Sequence, residues 1–151
     1  MKTVDSVTVN VPIDKAFTVS SDVVRWPQFL RHYRWVKMIE QRSNGGLVEM
    51  AAWRPFGVFK YPTWWVSEMT VVPEDYRVLY KHVDGMTRGM DVEWRLSEIG
   101  SAVEISIVHE WDGPPWPIIS GIAADLVIGP IFIHGIASRT LAGVKQEAER
   151  A

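Results

Sequence analysis

Apolar and polar residues alternate along most of the chain as far as Asp112, and beyond it the period changes to that of a helix. Over 3–11, Val7, Val9 and Val11 fall on one side and Thr8 and Asn10 on the other, which predicts a half-buried strand stopped by Pro12. PIDKAFTVSSD then reads as a short helix, with Pro12 near its start and Asp14 in its first turn; DVVRWPQFLRH reads as a second, interrupted by Pro27. Strand alternation returns over 35–41 and, after an SNGG turn, over 47–54. A loop at 55–58 leads to further strands over 60–72, 76–83, 87–97 and 102–111, separated by turns at PED, DG and IGS. Pro62 suits a sheet edge or a strand start.

DGPPWP ends the sheet, and a long apolar region begins at Trp116. From Ile133 the apolar positions recur as Ala137, Leu141, Val144 and Ala148, one face of a helix, with Arg139, Lys145, Gln146, Glu149 and Arg150 off it. A bend or break is expected at Gly129 and Pro130, because proline cannot donate the helix hydrogen bond. The order is strand, two short helices, six strands, long helix. It predicts an α+β fold, one domain over 1–151, in which the sheet curls around the C-terminal helix.

Composition narrows the function. A chain of 151 residues buries about two thirds of its unfolded surface, so it needs no disulfide. Without cysteine, thiolate metal sites and cysteine nucleophiles are excluded. A net charge of −2 with interspersed signs offers no basic footprint for nucleic acid. The first residues alternate and lack an apolar signal segment, so a cytoplasmic address is expected. The stretch 114–137 has the length of a membrane span but contains Asp125, His134, Pro115, Pro117, Gly129 and Pro130. An Asp at a span centre costs about 2.5–3.5 kcal/mol, so a buried or interface-facing helix is the better reading. A peripheral membrane contact and a homodimer stay open. The histidines at 32, 82, 109 and 134 form no HxH, HExxH or i, i+4 pair, so no metal site is expected, and nothing points to a cofactor.

Alternation also sorts the side chains. It turns Val103, Ile105, Ile107, His109 and Trp111 inward, together with Met90, Val92, Trp94 and Leu96, and with Val78, Tyr80 and His82. Eight tryptophans supply more aromatic surface than a small core requires, which suits either ordinary packing or the walls of a site for a flat ligand; Trp26, Trp65, Trp94 and Trp111 are candidates for such walls, with Tyr80. Trp64 and Trp65 are adjacent in a strand and must face opposite ways. His82 and His109 are the inward groups able to move a proton near neutral pH, or else to hydrogen-bond a ligand or the core. Arg54 ends a strand whose Met50 and Ala52 share its inward face, so its guanidinium could hold a carboxylate or enolate at a cavity mouth, or form a surface ion pair.

The element order, with VTVNVPIDKAF, the turn DVVRWPQF, the strand phrase WVSEM, Trp94 and the tail HGIASRTLAGVKQEAE, resembles the START-like, helix-grip superfamily. Birch-pollen-type allergens and the polyketide cyclase/dehydrase family, with its aromatase/cyclase-like members, belong to it. The resemblance covers nearly the whole chain. It implies a curved seven-stranded antiparallel sheet gripping the C-terminal helix, two short helices after strand 1, and a cavity for a hydrophobic, polycyclic or polyketide-like small molecule. It also implies Trp65 inside and Tyr33 as a pocket hydroxyl donor. In the aromatase/cyclases the phrase matching WVSEM ends in arginine; here it ends in Met69, a pocket-filling thioether. That departure implies the loss of arginine-assisted cyclisation, and leaves any catalysis to Tyr33, Arg54, His82 or His109. Whether the protein is an enzyme, or a lipid or quinone carrier, stays open at this level.

Overall fold

The computed structural model describes residues 2–56, 59–112 and 130–150. Seven antiparallel strands form one sheet: β1 (Lys2–Val9), β2 (Tyr33–Arg42), β3 (Gly45–Phe56), β4 (Phe59–Val72), β5 (Arg77–Gly85), β6 (Asp91–Ile99) and β7 (Ala102–Glu110). Their order is β1-β7-β6-β5-β4-β3-β2, so the first strand closes onto the last and every other neighbour is a hairpin partner. Between β1 and β2 lie α1 (Ile13–Ser21), a 3-10 turn (Val23–Arg25) and α2 (Trp26–Phe29), which together are the two predicted short helices. Pro27 does not interrupt a longer helix. It sits in the first turn of α2, where its missing N–H costs nothing. The C-terminal helix, α3, is described over Pro130–Glu149; the expected helix over 116–129, with Trp116 and Asp125, and the Gly129 side of the expected break lie outside the described residues.

The burial pattern follows the alternation. Val78, Tyr80 and His82 are buried on β5, Val92, Trp94 and Leu96 on β6, and Val103, Ile105 and Ile107 on β7. On α3 the predicted face of Ile133, Ala137, Leu141, Val144 and Ala148 is buried against the concave side of the sheet. Removing one such aliphatic side chain from water is worth roughly 1.5–3 kcal/mol, so this face holds the helix in place. Its far end is tied to the β1–α1 corner, where Asn10 N donates to Glu149 Oε2 (2.8 Å) and Lys145 Nζ to Thr8 O (2.5 Å). No described helix is long and apolar enough to cross a membrane.

Among the departures from the alternation, two shape the interior at the β5–β6 turn and at β2, beside a further register shift at Val66/Ser67 of β4. The strand expected from Thr87 starts at Asp91, because 86–90 form a folded turn: Met86 N donates to Trp64 O (3.1 Å) and Gly89 N to His82 O (2.8 Å). Gly85 makes that turn at φ +95°, where a Cβ would lie 2.4 Å from Trp64 O. The second departure is in β2, where register shifts between Tyr33 and Trp35 and between Met38 and Glu40 bend the edge strand. Tyr33 is thereby buried while Arg34 stacks outside on Trp35 and Trp53, at 4.7 and 4.6 Å from the ring centroids.

Candidate functional site

A cavity of about 70 Å³ lies between the sheet and α3. Every layer contributes: Trp26 from α2, Tyr33 from β2, Met50 from β3, Trp65 from β4, Tyr80 and His82 from β5. Val92 and Trp94 of β6, Ile107 and His109 of β7, and Ile133, Ile136, Ala137 and Thr140 of α3 complete it, with Thr87 and Met90 from the β5–β6 turn. At roughly 10–15 Å³ of such space per water, it has room for about five waters. The aromatic side chains therefore fill most of the interior, and the space left is well under the roughly 300 Å³ of a small-molecule pocket.

The filling is ordered. Trp94 lies against Trp26 (centroids 5.4 Å apart), Trp26 meets Tyr33 edge-on (5.3 Å), and Tyr33 meets Trp65 (6.2 Å). Trp65 in turn stacks on His82 at 5.7 Å with 3° between the planes. These contacts form one continuous arc of rings; the two edge-on ones, Trp26–Tyr33 and Tyr33–Trp65, each add about 0.5–1.5 kcal/mol beyond burial. Trp64, on the other side of β4, is only half-buried and is not part of the lining.

Polar groups enter this arc from several elements. His82 Nδ1 is hydrogen-bonded to Thr87 Oγ1 (2.6 Å), both residues being buried. Burial, with like-charge repulsion from His109 and Lys81, lowers the His82 pKa to about 3. His109 is likewise lowered to about 4 by burial, against the opposing pull of Asp5. Both rings are therefore neutral at pH 7. At the α3 wall, Thr140 donates its hydroxyl proton to Ile136 O (2.8 Å), so toward His32 Nε2 (2.9 Å) it is the acceptor. His32 is lowered to about 4 by burial and by Arg139. The Tyr33 hydroxyl is raised by burial, opposed by a hydrogen bond with Thr140, and Tyr80 is raised by burial and by Tyr33. Tyr80 OH has no hydrogen-bond partner among the described residues.

Of the residues singled out from the sequence, Tyr33, His82, His109, Trp26, Trp65, Tyr80 and Trp94 line this cavity together. Met69 is buried opposite Tyr80 in the β4–β5 ladder but lies outside the lining. Trp111 is also buried outside it, its Nε1 donating to Arg88 O (3.0 Å). Arg54 pairs with Tyr61 near the end of β3; its side chain lies outside the described part of the structure. Thr87 and Thr140, which are hydrogen-bonded to His82 and His32, were not legible as site residues. For Thr87 the available signal was a polar residue two positions from a turn glycine and five positions after an inward histidine. Among the described residues no group of three histidines or carboxylates is placed to hold a metal.

Residues 9–129 match the polyketide cyclase / dehydrase and lipid transport family. The chain belongs to this family. Solved structures agree in fold. The Zhui aromatase/cyclase of a Streptomyces species superposes with a TM-score of 0.85 at 17% identity, over 99% of this chain and 94% of that one. A Thermus thermophilus protein gives 0.82 at 13% identity, over 98% and 97% of the two chains. A START superfamily protein from Mycobacterium smegmatis gives 0.72 at 10% identity, over 97% and 98%. No curated protein sequence is significantly similar to the chain. Family membership supports a role in binding a hydrophobic ligand, and the fold is the helix-grip, START-like one that the element order implied.

Proposed function

We propose that this protein binds a hydrophobic, polycyclic or polyketide-like molecule between the sheet and α3, and promotes its cyclisation or dehydration by proton transfer. The observation that carries this reading is the convergence of two neutral histidines, His82 and His109, and two tyrosines, Tyr33 and Tyr80, on one cavity walled by Trp26, Trp65 and Trp94. Flat rings favour a flat occupant. A neutral imidazole accepts a proton from a carbon beside a carbonyl, and a tyrosine hydroxyl hydrogen-bonds the oxygen that gains charge. Because about 70 Å³ is too little for several fused rings, binding must move side chains. The unpartnered Tyr80 hydroxyl marks the side chain with least to lose by moving.

One observation favours a second reading, a non-catalytic carrier of a lipid or quinone. No lysine or arginine is among the described lining residues, and Met69 stands where the aromatase/cyclases it resembles have arginine. Native mass spectrometry of protein isolated from its own host identifies the bound molecule. Reconstitution with a minimal polyketide synthase then separates the readings. First-ring cyclisation that falls at least tenfold in His82→Asn or His109→Asn supports proton transfer by these rings. Tight binding without turnover supports carriage, and cyclisation undiminished in both variants refutes the assignment of the histidines.

A further inference from the structure

β1 and β7 carry three polar atoms at one end of their ladder that are shut off from solvent and have no partner among the described residues: Thr3 Oγ1, Asp5 Oδ2 and His109 Nδ1. Thr3 is directly opposite His109, and Asp5 opposite Ile107, so Asp5 and His109 are diagonal neighbours on the concave face. Such pairs lie within reach of longer side chains. Asp5 is 8% exposed, and its other oxygen is hydrogen-bonded to Nδ1 of His134 on the first turns of α3. The His134 side chain is 68% exposed. A buried carboxylate with one oxygen unmatched is costly unless it has a task, and here a histidine of the cavity wall stands next to it.

We propose that Asp5 is the positioning residue of His109 and that Asp5 and His134 connect the cavity to solvent as a proton relay. This rests on the reading of His109 as the base. Asp5 Oδ2 accepts the Nδ1 proton of His109 through one water that Thr3 also holds, since neither atom has a direct partner among the described residues, and this leaves the Nε2 lone pair for the cavity. When Nε2 takes a proton from an occupant, the ring becomes imidazolium beside a carboxylate. Its Nδ1 proton passes to Asp5, whose carboxyl group gives it on the Oδ1 side to Nδ1 of His134 in its Nε2–H tautomer, and His134 releases the Nε2 proton to bulk water. His109 is left neutral with a proton on Nε2 and regains its Nδ1–H tautomer by exchange, so the net step moves one proton from occupant to solvent and changes no oxidation state. The titratable groups facing His109 are Asp5 from β1, His82 from β5 and, through Asp5, His134 from α3. The carboxylate opposes what burial does to the ring, and makes His109 a stronger base than its surroundings alone would allow.

The test needs no ligand, so it can fail while the cavity reading stands, and the converse. In 15N-labelled protein the imidazole nitrogen shifts report the tautomer of His109, and a pH titration reports its pKa. The expected result is a proton on Nδ1 in the unmodified protein, and in Asp5→Asn a downward shift of the His109 pKa by about one unit or more. His134→Gln, an exposed change, is expected to leave the fold intact and to slow exchange of the Nδ1 proton with water by at least tenfold. A His109 protonated on Nε2 in the unmodified protein, or a titration unmoved by Asp5→Asn, overturns the positioning role. Exchange unchanged in His134→Gln overturns the relay, whether or not Asp5→Asn folds.

Discussion

Lowering the pH from 7.5 to 5 should destabilise the protein steeply, well before its carboxylates protonate. His82, His109 and His32 have folded-state pKa values of about 3, 4 and 4, against 6.5 in the unfolded chain. Above pH 6.5 each is neutral in both states and contributes no difference. Below it the unfolded chain binds the proton first, so stability is lost at about 1.4 kcal/mol per pH unit per group, and the loss levels off only below the folded value. For His82, the most deeply buried of the three, this gives about 2 kcal/mol between pH 7.5 and 5. His109 and His32 are partly exposed and add less apiece, for a total of roughly 3–5 kcal/mol against a whole-domain stability of about 5–15 kcal/mol. At about 2–4 °C per kcal/mol, the melting temperature should fall by roughly 6–20 °C. Scanning calorimetry at pH 7.5, 6.5 and 5 measures it. His82→Asn removes one titrating group, so its slope should be shallower by about 1.4 kcal/mol per pH unit. A melting temperature flat over this range, or an unchanged slope in the variant, would refute the claim that the cavity histidines are held neutral by burial.

Three further outcomes are expected. Trp65→Ala or Trp94→Ala should change the affinity of an apolar dye such as anilinonaphthalene sulfonate more than Trp64→Ala does, and Trp94→Ala should cost about 3–5 kcal/mol in urea denaturation. The largest dye effect at Trp64 would mean that β4 faces the other way. Thr87→Val keeps the shape but strands His82 Nδ1, so it should cost about 1–3 kcal/mol and free the imidazole to change tautomer, which nitrogen NMR reads. Gly85→Ala places a Cβ 2.4 Å from Trp64 O at φ +95°, and should lower the melting temperature by roughly 5–10 °C; a loss under 2 °C would show that this turn is not tightly held.

Much of the fold was legible because strand parity is a local property. Two residues decide which side of a sheet a third faces, so the inward placement of Tyr80, His82, Trp94, Ile107 and His109 followed from alternation alone. The same parity places Thr3 and Asp5 beside Val7 and Val9 on the inner face, a buried-carboxylate signal that the valines obscured. The C-terminal face from Ile133 to Ala148 was equally plain, since a helix repeats its pattern within a few residues.

The partners of those side chains were a different matter. Parity states a direction, not a depth or a neighbour. That Asp5 meets His134, and His32 meets Thr140, depends on how far the sheet curls and where α3 crosses it. Thr87 reaches His82 because Gly85 folds the β5–β6 connection into a turn where alternation would have run a strand. The size of the cavity is the clearest case. Composition supplied the aromatic rings, but whether they line an empty space or occupy it depends on ring orientations set jointly by α2, β2, β4 and β6. Close packing among those elements leaves about 70 Å³. The sequence alone thus determined which groups face one another across the interior, and the tertiary structure decided how much room stands between them, because volume is a property of all the walls at once.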